Sequence, residues 1–170
     1  MTTDVALEVR PRRRLVRWVV PALLGLALLA VLGWYATHPP VLATSADQRR
    51  ATTAVDTPVY VGMFAAPGDR TLAVDGVKVH ATANTDVDVA PLLCKGGSPV
   101  VTSDPATFCR ELVAPAGNRL EPGDSLVVEV SAATPAVVVL DRIRVGYQDG
   151  IRAGTQEAGV EHAVVTVLGR

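Results

Sequence analysis

Two cysteines, three histidines and one close pair of carboxylates are the residues here whose types and spacing could do chemistry. Cys94 and Cys109 are the only cysteines in the 170-residue chain. Between them runs Lys95-Gly96-Gly97-Ser98-Pro99 to Asp104-Pro105-Ala106-Thr107-Phe108, a stretch with little apolar content of its own. A disulfide closing about fifteen residues contributes roughly 3 kcal/mol in the chain-entropy view, so a structural bond is the expectation. The rival readings are a metal site and a redox pair. The spacing is neither Cys-x-x-Cys nor the Cys/His/Met cluster of blue copper, and zinc wants more ligands than two thiolates.

The histidines are His38, His80 and His162. A metal shared by His80 and His162 is one reading; a solvated or capping role for each is the simpler one. Asp86 and Asp88 lie two apart on one strand face, but no third acidic or amide ligand follows at calcium spacing. Ser98, Ser103, Ser125 and Ser131 lack a Gly-x-Ser-x-Gly context. Gly96-Gly97 is followed by no Lys-Ser/Thr and no helix, as a phosphate loop requires. The expectation is therefore no catalytic residue, no metal and no cofactor. A glycine-rich segment, Gly150-Ile151-Arg152-Ala153-Gly154-Thr155-Gln156-Glu157-Ala158-Gly159, reads as a loop between two strong strands. Loops held on a rigid scaffold are where contacts concentrate, so Arg152, Thr155, Gln156 and Glu157 are the candidate interaction residues.

The elements that must position these groups are mostly strands. Val59, Val61 and Met63 alternate across Tyr60 and Gly62. Leu72 to Val74, then Asp75-Gly76, then Val77 and Val79 reads as a hairpin around a tight primed turn. Lys78, His80 and Thr82 fall on its wet face. Val87, Val89, Leu92 and Leu93 form a strand that Pro91 marks as an edge or bulge. Leu126, Val128 and Val130 alternate with Val127, Glu129 and Ser131. Val137-Val138-Val139-Leu140 is continuous, as in a strand buried on both faces. Ile143, Val145 and Tyr147 extend it against Arg142 and Arg144, Asp149-Gly150 offers a second turn, and Val164, Val165, Val167 and Leu168 close the chain. No amphipathic helix of useful length intervenes, which disfavours βαβ units. The fold class expected is all-β, an antiparallel β-sandwich of about seven strands, over residues 58–170.

Upstream the pattern changes. Residues 1–14 form a basic tail, and Arg10, Arg12, Arg13, Arg14 and Arg17 precede eighteen residues, Trp18 to Tyr35, that carry no charge. At about 1.5 Å per residue this run measures roughly 27 Å, close to the hydrocarbon core of a bilayer. Trp18, Trp34 and Tyr35 stand at its two ends, where aromatic rings settle among headgroups. Residues 15–36 are thus expected to form one transmembrane helix in contact with membrane lipids. The arginine bias puts the N-terminus in the cytoplasm and the sandwich outside, at the cell membrane, with the arginines 12, 13, 14 and 17 at the inner interface. Gly25 and Gly33 do not make a Gly-x-x-x-Gly contact face. A cleaved signal peptide is the competing reading; its best site follows Val41-Leu42-Ala43, against a run longer than the usual h-region and a bulky Trp34-Tyr35 pair. Residues 37–57 read as an irregular linker, with a short helix around 45–54 as an option.

The chain's net charge of −1 divides into +3 over residues 1–17, +1 over 36–50 and −5 from Ala51 onward. An acidic outer domain carries no footprint for nucleic acid. Only Tyr60, Phe64, Phe108 and Tyr147 remain for it among the aromatics, so its core must be Val, Leu and Ala. One resemblance bears on the fold. Leu120-Glu121-Pro122-Gly123-Asp124 ahead of Ser125–Ser131 resembles the Leu-x-Pro-Gly-Asp turn of bacterial immunoglobulin-like domains. It implies an immunoglobulin-like sandwich and no activity, while the missing Trp and the close cysteines depart from the antibody type. The function expected is a membrane-anchored binding or assembly module for another envelope protein, without catalysis. The alternative is a carrier for a small ligand or metal.

Overall fold

In a computed structural model, residues 13–169 are described, as two units, 13–37 and 38–169. The tail through Arg12, with the side chains of Arg13, Arg14 and Arg17, lies outside what is described. The first unit is the helix α1, Arg13–Thr37, with Pro21 in its N-terminal half. Over Trp18–Thr37 its mean hydropathy is 2.1 and none of it is buried. It is long and apolar enough to cross a bilayer. Trp18, Trp34 and Tyr35 are exposed, and the Thr37 hydroxyl donates to the carbonyls of Gly33 and Trp34, covering two acceptors of the last turn.

The second unit is mostly β, in two sheets. The larger contains β1 (Gln48–Ala54), β11 (Arg152–Leu168), β10 (Ala136–Asp149), β3 (Leu72–Lys78) and β8 (Arg119–Leu120) in that spatial order, with β4 (Ala81–Ala83) also on β10. The smaller runs β6 (Val101–Thr102), β2 (Val59–Ala65), β9 (Ser125–Ser131), β5 (Asp88–Lys95), β7 (Glu111–Val113). The predicted alternations place Val61, Met63, Val128 and Val130 from one sheet in a single core with Val74, Val138, Leu140, Ile143, Val145 and Val165 from the other. Val, Leu and Ala make up most of it, joined by Met63, Ile143 and, among the described residues, the aromatic side chains of Phe64 and Tyr147. Gly150-Ile151 turns β10 into β11, one residue later than the Asp149-Gly150 signal, with Gly150 at φ 63° in the first turn position as a primed turn requires. Pro91 sits in β5 beyond the reach of β7, which covers only Leu93 to Lys95, so the missing N–H has an open side.

Several expectations are corrected. Eleven strands stand among the described residues, rather than about seven, and the sheets are not purely antiparallel: β1 pairs with β11 in parallel, Gln48 opposite His162 through Ala54 opposite Leu168. Of the supposed linker, 37–57, Thr37 ends α1, and the remainder, with the optional helix at 45–54, is instead a lead-in, the strand β1 and a turn after it. Leu42 is buried, Thr44 bridges Gly159, and Ala51 and Thr53 point into the core. Long-range pairing to β11 overrides a sequence with no apolar period. Asp75-Gly76 makes no turn, because β3 runs through it: Gly76 pairs with Gly146 and Val74 with Tyr147, leaving Asp75 as a bulge. Val137–Leu140 is buried on one face only: Val138 and Leu140 point inward, while Val137 is 46 % exposed. Residues 152–159 are not a loop but the first half of β11.

Candidate functional site

The disulfide pair and the turn motif build structure. Cys94 and Cys109 are bonded, with Cα atoms 5.2 Å apart, and both are buried. They lie on the outer side of the smaller sheet in a second, small core with Val127, against which Tyr60, Leu92 and Leu112 pack. The 96–109 segment, despite its polar composition, thereby covers Val127, which alternation alone would expose. Beside it Leu120-Glu121-Pro122-Gly123-Asp124 makes a tight turn: Gly123 has φ 92°, and the Asp124 N–H donates to the Glu121 carbonyl at 2.9 Å. The Asp124 side chain, 3 % exposed, accepts from Gly96 N at 2.7 Å, Glu121 N at 2.9 Å and Lys95 Nζ at 3.1 Å. Burial by itself would raise this carboxyl. The two backbone donors and Lys95 outweigh it and hold the group below the usual carboxylate range. The motif is thus a clamp joining the β8–β9 turn to the end of β5.

The four candidate interaction residues divide. Gln156 turns inward: its Oε1 accepts from Leu42 N at 2.9 Å and its Nε2 donates to Pro39 O at 3.4 Å. The Tyr147 hydroxyl donates to Pro40 O at 2.7 Å, and burial pushes its phenol pKa up. These bonds hold residues 39–42 along β11, so Gln156 positions chain rather than partner. Arg152 is half-buried at the start of the strand. Thr155 and Glu157 are exposed on the outer face of the larger sheet. There Thr155 lines an open trough of about 390 Å³ with Asp75, Gly76, Val77, Lys78, Arg144 and Gly146. Arg144 lies directly between Lys78 on β3 and Glu157 on β11. The paired glycines make the depression, and a cation stands on each of the two strands that flank it.

The same face turns apolar toward the other end of β10. Val137, Val139, Val164, Thr166 and Leu168 alternate outward from β10 and β11, and Leu168 is 52 % exposed. Sequence reasoning missed both halves. Lys78 and Arg144 stood in it only as polar alternates, since their juxtaposition depends on register. The outward valines did leave a signal, the unbroken run 137–140.

The remaining chemistry-bearing groups are dispersed. His80 Nδ1 lies 2.9 Å from Asp141 Oδ2, both largely exposed, and Asp141 is the strand partner of His162. Among the described residues no group of three or more His, Cys, Asp or Glu is arranged to hold a metal. Asp86 precedes β5, which begins at Asp88, so the two carboxylates do not share a strand face as expected; Asp88 lines an open hollow of about 270 Å³ with Asp56 and Glu129. Arg49 borders a smaller one with Met63 and Phe64; burial lowers its pKa, and its guanidinium donates to Val100 O at 3.2 Å. Comparisons with protein-family models, with curated proteins and with solved structures gave no match.

Proposed function

We propose that this chain is a single-pass membrane protein whose C-terminal unit is an extracytoplasmic, immunoglobulin-like β-sandwich serving as a non-catalytic binding or assembly module for another envelope protein. The observation that carries the anchored form is the fate of Leu42. It is buried under β11 and bonded to Gln156, so cleavage after Ala43 would strip a core residue and the Pro39 and Pro40 contacts from the domain. The five arginines before the apolar run and the disulfide on the other side favour a cytoplasmic N-terminus. The strand order supports the immunoglobulin-like reading. β2-β9-β5 follows the B-E-D order of such a sandwich and β3-β10-β11 its C-F-G order, with β1 laid parallel on the last strand. The polar trough on the outer face of the larger sheet, lined by Lys78, Arg144 and Thr155, is the surface assigned to the partner.

Membrane attachment is read from alkaline carbonate extraction combined with external protease on spheroplasts. The 17.8 kDa chain should stay in the pellet, with its domain digested from outside and an N-terminal tag protected. A soluble product beginning after Ala43, or a domain shielded from external protease, sinks the reading. Partner binding is read by co-purification from mild detergent.

A further inference from the structure

The outward half of β10 and β11 has a composition that its surroundings leave unexplained. A sheet with one wet face alternates polar residues outward, and these strands do so elsewhere, with Asp141, Arg144, Gln148, Glu157 and Glu161 exposed. From Val137 to Val139 and from Val164 to Leu168 they do not. With Thr52 and Ala54 on β1 and Thr82 on β4, these residues make a neutral face across four adjacent strands. Strands about 4.8 Å apart with alternate residues about 6.8 Å apart give it roughly 400 Å². Its two flanks carry opposite charge. Arg50 projects from β1 level with Val164, and Asp141, paired with His80, lies on β10 at the other side.

We propose that this face docks a second copy of the chain, sheet on sheet, about a two-fold axis running along the strands. That axis lays β1 of one copy over β10 and β4 of the other. Each Arg50 then approaches the partner copy's Asp141, twice over, across a neutral centre that suits itself. A two-fold axis across the strands, through Thr166, would instead set Arg50 against Ala54 of the other copy and leave both flank charges unmatched. The area is below the roughly 800 Å² per partner of a lasting complex, so pairing is weak in dilute solution and favoured by confinement in one membrane. This inference rests on the proposed membrane-anchored binding module.

The test uses the full chain in liposomes with benzoylphenylalanine placed at Thr166, in the centre of the face, or at Glu111, on the other sheet. Irradiation should give a product of twice 17.8 kDa at Thr166, at least tenfold above Glu111. Val139→Lys should lower that yield tenfold while the melting temperature and the disulfide stay intact. Arg50→Glu and Asp141→Arg should each lower it, and mixing the two variants should restore it, since in the mixed pair both flank contacts are again opposite in sign. Monomer alone, equal yield at both positions, or a mixture no better than either variant overturns self-docking. In cells, a product with a different protein and none with itself also overturns it, yet leaves the binding module standing. Failure of the chain to resist carbonate extraction removes the anchored reading instead.

Discussion

Replacing Asp124 tests whether the turn motif is a charged clamp. Its carboxylate is 3 % exposed and accepts from Gly96 N, Glu121 N and Lys95 Nζ, three bonds of 2.7–3.1 Å. A hydrogen bond to a charged group contributes about 1.5–3 kcal/mol. Asp124→Asn keeps one oxygen but turns an NH2 toward donors, so it should cost about 2 kcal/mol. Asp124→Ala loses all three and should cost about 3–4 kcal/mol, short of the summed bonds because Lys95 regains water. For a domain of this size 1 kcal/mol moves the melting temperature by roughly 3–5 °C, so the Asn variant should melt about 6–10 °C lower. The sign with pH follows from the lowered pKa. The folded carboxyl sits below its unfolded value near 4, so its contribution is complete above about pH 5 and is lost as pH falls through the folded value. The assay is the far-ultraviolet melting transition of full-length protein in detergent between pH 7 and pH 2. The gap between wild type and Asp124→Asn should close on acidification, because a protonated Asp then resembles Asn. A gap that persists unchanged at pH 2, or no gap at pH 7, would falsify the clamp.

Three further outcomes follow from the packing. Gly159 has φ 80° and an added Cβ would lie 1.8 Å from the Met63 carbonyl oxygen, so Gly159→Ala should destabilise by about 3 kcal/mol or more in the same melting assay. Paired Cys94→Ser and Cys109→Ser should cost roughly 3 kcal/mol and match the effect of reductant on wild type; a reductant-insensitive melt refutes that. Tyr147→Phe removes the bond to Pro40 O and should cost about 1 kcal/mol, with faster amide exchange confined to residues near Leu42; unchanged exchange there argues against that tie.

What was legible in the sequence is the part that local pattern encodes. Val59, Val61 and Met63, then Leu126, Val128 and Val130, then Ile143, Val145 and Tyr147 bury as their alternation requires. The turn that Asp149-Gly150 signals falls one residue on, at Gly150-Ile151, between Asp149 and Arg152, which pair immediately on either side of it. What was not legible depends on a distant partner. Gln48–Ala54 has only Ala51 and Thr53 to offer the core, and it is a strand because β11 supplies its hydrogen bonds from more than a hundred residues away. Asp75-Gly76 has turn chemistry, yet β10 is long enough to pair on both sides of it, and Asp75 is taken up as a bulge. Gln156 looked like a loop residue because its neighbours are Gly154, Thr155 and Gly159. Its role appears only once residues 39–42 lie alongside.

The run Val137-Val138-Val139-Leu140 is the place where sequence and isolated structure disagree most usefully. Unbroken apolar character implies burial on both faces, and the chain by itself buries only Val138 and Leu140. Strand propensity does not explain the remainder, because threonine offers the same β-branching with a wet hydroxyl, and Thr52, Thr82 and Thr166 stand on the same face. Solubility would also have favoured a charge there, as at Asp141 and Arg144 on the same strand. A face that keeps valine where threonine or a charge would fold equally well is one whose burial is completed by something other than its own core. The opposite charges of Arg50 and Asp141 on its two sides make another copy of the same face a complementary cover.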